Sequence, residues 1–314
     1  MMRVAVVGAG AFGQNHIRVI RESDRAELAG VADLAPGKGD FTDWRDLIGK
    51  ADAAVIATPT TTHAEIGRGL LDAGLHVLVE KPISHDLATA NRLARTARER
   101  SRVLAVGHLE RCNPAVRALW NLVSVPLFFE IHRMNLFAPR SLDVDVVLDL
   151  MIHDIDIVLA LTRSRPDEVR AAGVRILSDK VDIANVRLAF PTGCVANLTA
   201  SRVSTEKVRK LRLFQPHQYI SVDYARQDGI AISVDEALRP SFQPLRIVKR
   251  EPLAAQFDAF LDAVEGRAEP LVSGDDAIAA LTVSLEILAK IDEHATVVNR
   301  TLEGAHGTGV AVIR

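Results

Sequence analysis

The stretch Val4–Ile20, VAVVGAGAFGQNHIRVI, is the most informative part of the sequence for the fold of the first part of the chain. Its opening residues, Val4–Val7, are typical of a strand that is buried on both faces. The glycines that follow have the spacing G-x-G-x-x-G and are Gly8, Gly10 and Gly13. Glycine permits the tight turn, the close approach of backbone to a pyrophosphate, and the packing of helix on strand that a dinucleotide site needs. The stretch therefore predicts a phosphate-binding strand–turn–helix unit.

An acidic residue at the end of the next strand indicates which dinucleotide is bound. The segment ELAGVAD reads as a second buried strand and ends at Asp33, twenty positions after Gly13. A carboxylate at this distance can accept hydrogen bonds from the ribose hydroxyls. It would repel the 2′-phosphate of NADP, and the neighbouring Leu34 offers no cation. We therefore expect NAD rather than NADP.

Strand and helix patterns continue to alternate up to residue 108, which indicates an α/β fold with a doubly wound parallel sheet. Ligands of such sheets bind beyond the carboxyl ends of the strands. Candidate cofactor residues are those of the glycine loop and those at strand ends: Gly8, Gly10, Ala11, Phe12, Gly13, Asp33, Thr58, Pro59, Glu80, Lys81 and His108.

After Leu119 the pattern changes to short β-like segments separated by turn signals. One such segment is PLFFEIHRMNLF (126–137), and another is DIANVRLAF (182–190). This alternation is typical of an antiparallel sheet. The prediction is a Rossmann domain over residues 1–118 and a second domain over residues 119–314.

The apolar stretch VVLDLMIHDIDIVL (146–159) contains three aspartates and a histidine, all costly to bury without partners. Side chains advance by about 100° per residue along a helix. Asp149, His153 and Asp156 therefore share one face of a buried helix, with Asp145 extending the line and Asp154 in a separate structural contact. The functional interpretation is catalytic; the alternative is an internal hydrogen bond between Asp149 and His153 or the capping of a neighbouring element.

Composition excludes several classes of function. The 314 residues have a formal net charge of −2, which provides no general attraction for nucleic acid or an anionic membrane. The two cysteines, Cys112 and Cys194, have no metal-ligand spacing and predict no metal site. Because no segment reads as a signal peptide or membrane span, we expect a cytoplasmic protein.

The chain resembles the glucose–fructose oxidoreductase/inositol dehydrogenase (Gfo/Idh/MocA) family over essentially its whole length. The resemblance lies in the glycine loop, in Glu80-Lys81-Pro82 at a strand end, and in an Asp-x-x-x-His helix. It implies an N-terminal Rossmann domain and a C-terminal α/β domain with a large, mostly antiparallel sheet, often used to form homodimers or homotetramers. One departure is the segment 34–42, LAPGKGDFT, where the family places a helix and a short strand. Proline and glycine disfavour a helix there, so we expect a more open adenosine end.

The resemblance also implies catalytic roles. Asp149 and His153 match the family's Asp-x-x-x-His pair, with His153 as general base, Asp149 as the group that orients it or the substrate, and Lys81 as the electrostatic partner. Imidazole, with an ordinary pKa of about 6.5, suits proton transfer near neutral pH. His63 resembles the histidine of the family's T-P-x-x-x-H motif and is expected to border the nicotinamide. His16 is expected to be a packing residue.

Several segments, among them GHLERCNPAV and DVDVVLDLMIHDIDIVL, resemble a branch of the family that acts on nucleotide sugars. Cys112 departs from the phenylalanine expected in ERFNP. The branch implies oxidation of the C3 hydroxyl of UDP-N-acetylglucosamine, before a transaminase in the synthesis of the diamino sugar of lipid A. Candidate substrate residues are Arg111, Asn113, Asp156, Arg209 and Lys210.

Three alternatives stay open. The basic segment Lys207–Lys210 can belong to a solvated edge strand instead of a diphosphate site. The substrate can be another UDP-sugar, a free sugar or a polyol. The chain can also be a non-catalytic NAD-binding sensor, although a sensor has no need for both Lys81 and the Asp149/His153 pair.

Overall fold

The computed structural model describes residues 1–137 and 144–307. Within them the chain forms two compact units. The first unit consists of Met1–Arg117 together with Val248–Leu281. The second consists of Ala118–Ile247 and the chain from Thr282 onward.

The first unit contains a five-stranded sheet, all parallel, in the order β2-β1-β3-β4-β5 among the described strands. Its strands are β1 (Met2–Val7), β2 (Ala26–Ala32), β3 (Ala53–Ile56), β4 (His76–Val79) and β5 (Leu104–Val106). The helices between them are α1 (Ala11–Glu22), α2 (Thr60–Asp72) and α3 (Leu87–Glu99), and a short α4 (Pro114–Arg117) follows β5. The predicted Rossmann domain is confirmed.

Helix α6 (Pro252–Val264) belongs to the first unit although it lies far along the chain. Its buried residues Phe257, Phe260 and Leu261 join the core built by β1 and α1. On the surface, Arg25 donates to Asp262 Oδ1 at 2.8 Å. The division therefore departs from a continuous second domain over 119–314, because the apolar face of α6 completes the core of the Rossmann sheet.

The second unit contains an eight-stranded sheet in the order β13-β12-β11-β10-β6-β9-β8-β7. Among the described strands every neighbouring pair is antiparallel except β6 and β9, which run parallel. The strands are β6 (Phe128–Leu136), β7 (Glu168–Val174), β8 (Ile183–Ala189), β9 (Val195–Ser204), β10 (Val208–Gln215), β11 (Gln218–Asp223), β12 (Asp228–Val234) and β13 (Pro240–Pro244). The predicted large, mostly antiparallel sheet is confirmed.

The two faces of this sheet differ. One face packs against α5 (Ile152–Thr162), since Arg133 of β6 pairs with Asp154 of that helix. The opposite face carries a row of cross-strand neighbours, here named the apolar row: Val195, Phe128, Phe214, Tyr219, Ile232 and Phe242. Phe242 is 62% exposed in the row, and Phe214 is 38% exposed.

A loop replaces a helix after β2, as the sequence predicts. The loop folds back on the end of β2, because Asp40 Oδ2 accepts from Val31 N at 2.8 Å. Phe41 forms an isolated parallel bridge with Ala32. Backbone hydrogen bonds of Asp40 and Phe41 to Val31 thus hold the segment against the end of β2, where no helix is needed.

The last helix, α7 (Gly274–Gly307), contributes residues to both units. Within the described ranges, none of the helices combines the length and the apolar content needed to cross a membrane.

Candidate active site

The glycine loop has the geometry of a phosphate cradle. Gly8 has φ +95°, and a Cβ on it would lie 2.6 Å from the carbonyl oxygen of Ala57. A Cβ on Gly13 would lie 1.9 Å from Gly8 O, so only glycine lets α1 approach the loop this closely. Gly10, the N-cap of α1, has nothing within 4 Å of its Cβ position. The space beside Gly10 and the N–H groups of the first turn therefore fit a pyrophosphate.

Asp33 lies beside this loop and is tied to it. Its Oδ2 accepts from Ala9 N at 2.7 Å, and its Oδ1 accepts from Ala35 N at 2.8 Å. These backbone bonds, led by that from Ala9, hold the pKa of the Asp33 carboxyl below its usual value. The carboxylate stays ionised near neutral pH and has lone pairs left for ribose hydroxyls. The N–H groups of the glycine loop together with the Asp33 carboxylate therefore fit NAD.

The end of β3 is connected to the end of β4 through His63. α2 begins directly after Thr58-Pro59, and the His63 ring on its first turn is 1% exposed. One ring nitrogen lies 2.9 Å from Thr58 O and the other 2.9 Å from Pro82 O. Burial lowers the pKa of the imidazole, against the raising effect of both carbonyls. Both ring nitrogens of His63 thus lie at hydrogen-bonding distance from a loop carbonyl, and the neutral ring can donate to one of the two.

Glu80 and Lys81 at the end of β4 have different surroundings. The Glu80 side chain is buried and lies 2.7 Å, Oε1 to Nε2, from His16 of α1. A Cβ on Gly107 would lie 2.7 Å from Glu80 Oε2, so the glycine that follows β5 leaves room for this carboxylate. Lys81 is only partly buried, and its peptide bond to Pro82 is cis. His16 is therefore more than a packing residue, which the sequence did not indicate.

The residues that follow β5 are largely built into the first unit. His108 is buried. Arg111 is buried as well, with Nη1 3.5 Å from Leu271 O and Nη2 3.7 Å from Asp276 Oδ1. The Arg111 guanidinium thus connects this loop to Leu271, which precedes α7, and to Asp276 in the first turn of α7.

Asn113 has a local structural role. Its Oδ1 accepts from Ala115 N at 3.0 Å, at the beginning of α4, and its Nδ2 donates to Glu110 Oε2 at 3.1 Å. Asparagine is a favoured residue for such helix starts. The side chain is therefore held in a fixed orientation at this end of the sheet.

In the second unit, Asp149 and His153 lie on either side of a change in helix type. Residues Val147–Met151 form a π-helical turn, in which Ile152 N donates to Val147 O, and α5 continues from Ile152. Asp149 lies in this turn and is partly buried, whereas His153 is 7% exposed. The i→i+5 turn breaks the regular spacing assumed for the polar line. π turns are frequent at functional sites, and the sequence pattern did not reveal this one.

The other acidic residues of the stretch are distributed differently from the predicted line. Arg133 Nε and Nη2 donate to Asp154 Oδ2 and Oδ1 at 2.7 and 2.8 Å, which confirms a separate structural contact for Asp154. Asp145 precedes the helix, and its Oδ1 accepts from Val181 N at 2.8 Å. The extension of the polar line to Asp145 is therefore wrong, because the Asp145 carboxylate binds the backbone N–H of Val181. Asp156 is buried within α5.

Arg209 and Lys210 lie on opposite faces of the second sheet. Arg209 is opposite Arg133 in the register, on the face that packs against α5. Lys210 is opposite His132 and therefore lies on the other face. Strand β10 is an interior strand between β11 and β6, so the edge-strand alternative is wrong. Of the two cations, Arg209 shares its face with the helix of His153.

Comparison with known proteins agrees with this geometry. Residues 2–108 match the model of an oxidoreductase family with an NAD-binding Rossmann fold, and residues 128–217 match the GFO/IDH/MocA C-terminal domain. UDP-N-acetylglucosamine 3-dehydrogenase from Acidithiobacillus ferrooxidans is 34% identical over 307 residues, covering 93% of this chain and 97% of that protein. A solved structure of that enzyme superposes with a TM-score of 0.88, over 93% of this chain and 98% of that one.

A more distant relative is the inositol 2-dehydrogenase of Rhizobium meliloti, 25% identical over 313 residues, which cover 90% of this chain and 94% of that protein. A probable dehydrogenase from Thermotoga maritima has a TM-score of 0.79 at 23% identity, over 93% of this chain and 97% of its own, and shares the fold.

Proposed function

The chain belongs to the Gfo/Idh/MocA family of oxidoreductases, whose N-terminal domain binds NAD, and from this premise we propose that it oxidises the C3 hydroxyl of UDP-N-acetylglucosamine to a 3-keto sugar. The observation that carries the proposal is the similarity, over nearly the whole of both chains, to a dehydrogenase of that substrate. The Asp149/His153 pair and Lys81 are the residues this reaction needs.

The chain's own residues divide the chemistry as follows. When held by the glycine loop and Asp33, NAD would supply the hydride acceptor for the carbon that carries the hydroxyl. His153 takes the hydroxyl proton as general base. Lys81 donates to the same oxygen and stabilises the negative charge that develops on it. Asp149 orients the imidazole or the sugar.

For the substrate's diphosphate we propose Arg209 in preference to Lys210. Arg209 lies on the sheet face that packs against α5, and guanidinium can bind phosphate oxygens through two parallel donors. Asp156, Arg111 and Asn113 are buried, and we propose that they shape the sugar site. The chemistry of a keto sugar suits transamination as the next step, in the synthesis of the diamino sugar of lipid A. We place the enzyme in the cytoplasm, and Cys112 and Cys194, buried as free thiols, fit a reducing compartment.

A substrate panel tests the proposal. Purified protein is incubated with NAD or NADP and with UDP-N-acetylglucosamine, other UDP-sugars, inositol or glucose, while NADH absorbance is followed. We expect NAD-dependent oxidation of UDP-N-acetylglucosamine that stalls early unless an aminotransferase and glutamate remove the keto sugar. Activity confined to inositol or glucose would favour the polyol alternative, and tight NAD binding with no turnover would favour the sensor.

We also propose that two copies of the chain associate through the apolar row. The ring centroids of Phe128 and Phe214 are 5.7 Å apart, and those of Phe214 and Tyr219 are 5.1 Å apart. This continuous apolar strip extends over six strands of one sheet face. Burial of such a strip against a second copy would remove it from water.

A further inference from the structure

Two buried histidines flank the Glu80-Lys81-Pro82 segment from different helices. On one side, His16 of α1 contacts Glu80, the residue before the lysine, with Nε2 2.7 Å from Oε1. The two side chains are 1% and 9% exposed. A carboxylate buried to this degree requires a donor, and His16 supplies one.

On the other side, His63 of α2 contacts Pro82, the residue after the lysine. Its ring lies between Pro82 O and Thr58 O at 2.9 Å from each. It therefore joins the loop after β4 to the loop after β3. An apolar side chain of the same size could fill this space, but it could not donate to either carbonyl.

From these contacts we infer that His16 and His63 are positioning residues, a histidine clamp that places Lys81 for catalysis by holding Glu80 and Pro82. The chain on each side of Lys81 is thus held through a separate helix. Because α1 also carries the phosphate cradle, the clamp connects the cofactor loop to the lysine. The inference deepens the proposed function and rests on it for the role of Lys81.

The first test compares leucine and glutamine variants of the clamp. His16→Leu removes the donor to Glu80 at similar volume, whereas His16→Gln keeps an N–H donor; His63→Leu and His63→Gln form the matching pair. We expect the leucine variants to lose about 10- to 100-fold in kcat, since small misplacements of catalytic groups have effects of this size. We expect the glutamine variants to recover part of it. His76→Leu, at the far end of β4, is the control and should keep kcat.

A double-mutant cycle separates positioning from general destabilisation. In a Lys81→Ala background, a clamp substitution should cause little further loss of kcat, because the residue it places is gone. Full additivity of the losses would overturn the inference. Should the leucine variants fail to fold, the glutamine variants carry the same cycle.

A readout that needs no sugar keeps the clamp and the proposed function separate. Lys81 is labelled with acetic anhydride over a range of pH, and its modification is followed by mass spectrometry of the peptide. We expect the clamp variants to change the labelling rate of Lys81 several-fold, and His76→Leu to leave it unchanged. Unchanged labelling in all variants overturns the clamp. Altered labelling in a protein that oxidises no UDP-sugar rejects the proposed function and supports the clamp.

Discussion

At the scale of single residues, several buried polar groups have partners that offset the cost of burying them. The pair of Arg133 and Asp154 is bidentate and buried, so loss of either partner would leave an uncompensated charge. His16 contacts the buried side chain of Glu80, and His63 lies between two loop carbonyls. His153 and Lys81 are assigned to the reaction itself, which leads to the first prediction.

Replacement of His153 by alanine should remove the general base and leave the cofactor site intact. We expect His153→Ala to lower kcat by about 10²- to 10⁴-fold, the range for loss of general base catalysis. The Kd for NAD, measured by fluorescence titration, should stay close to that of the wild-type protein. Near-normal turnover would exclude His153 from this role.

His63 should make stability depend on pH. Burial lowers its pKa in the folded state below the ordinary value of 6.5. The unfolded chain therefore binds a proton first as the pH falls, so the contribution of His63 is present above about pH 6.5 and is lost below it. The slope is at most about 1.4 kcal/mol per pH unit.

The measurement is thermal unfolding at a series of pH values. Wild-type protein should lose more stability than His63→Gln between about pH 7 and about pH 5. The lowered pKa of His76 adds a similar slope to both proteins and cancels in the difference. Parallel curves for the two proteins would contradict the prediction.

At the scale of elements, the loops and the first turns of helices position the candidate cofactor and catalytic residues. The loop after β2 is closed by Asp40, which leaves the edge beyond Asp33 without a helix. The π turn at Val147–Met151 changes the direction in which Asp149 projects relative to a regular helix. The start of α1 offers the clearest experiment, because two of its glycines serve different purposes.

Gly10→Ala and Gly13→Ala should separate ligand binding from folding. A Cβ on Gly13 meets the Gly8 carbonyl at 1.9 Å, so Gly13→Ala should lower both the melting temperature and NAD affinity. A Cβ on Gly10 enters open space, and the φ of −67° suits alanine. Gly10→Ala should therefore keep its melting temperature and bind NAD at least about 10-fold more weakly, because the methyl group occupies the space of the pyrophosphate. Unchanged NAD affinity in Gly10→Ala would place the phosphates elsewhere.

At the scale of the whole molecule, the two units are defined by which apolar faces pack together. Helix α6 completes the core of the first unit from more than two hundred residues away, as the ion pairs of Arg25 with Asp262 and Glu265 also show. In the second unit, helix α5 covers one face of the sheet, and the apolar row lies on the other face. The row leads to a prediction about assembly.

Phe214→Glu should prevent association through the apolar row. In a single chain the new carboxylate is solvated at this exposed position, but in a dimer it would be buried without a partner. Light scattering after size-exclusion chromatography should show a smaller particle than for the wild-type protein. Val248→Glu, at a position that is 89% exposed and outside the row, is the control. A wild-type monomer, or an unchanged Phe214→Glu oligomer, would contradict the proposal.

Features that arise between neighbours in the chain can be predicted from the sequence alone. Glycine spacing, a buried strand and Asp33 were sufficient for the Rossmann unit and its cofactor, because the steric limits of a tight turn act within a few residues. The family resemblance then brought the large second sheet and its Asp149/His153 pair. Asp154 was separable from that pair because its position on the helix differs.

Contacts between residues that lie far apart in the chain became visible in the folded structure alone. The contact of His16 with Glu80 spans 64 positions, and the contact of Arg133 with Asp154 spans 21. The same holds for the placement of Lys210 on the far face of the sheet and for the return of α6 to the first unit. Such contacts depend on strand register and on how helices pack over the sheets, and a local pattern of residue types contains neither.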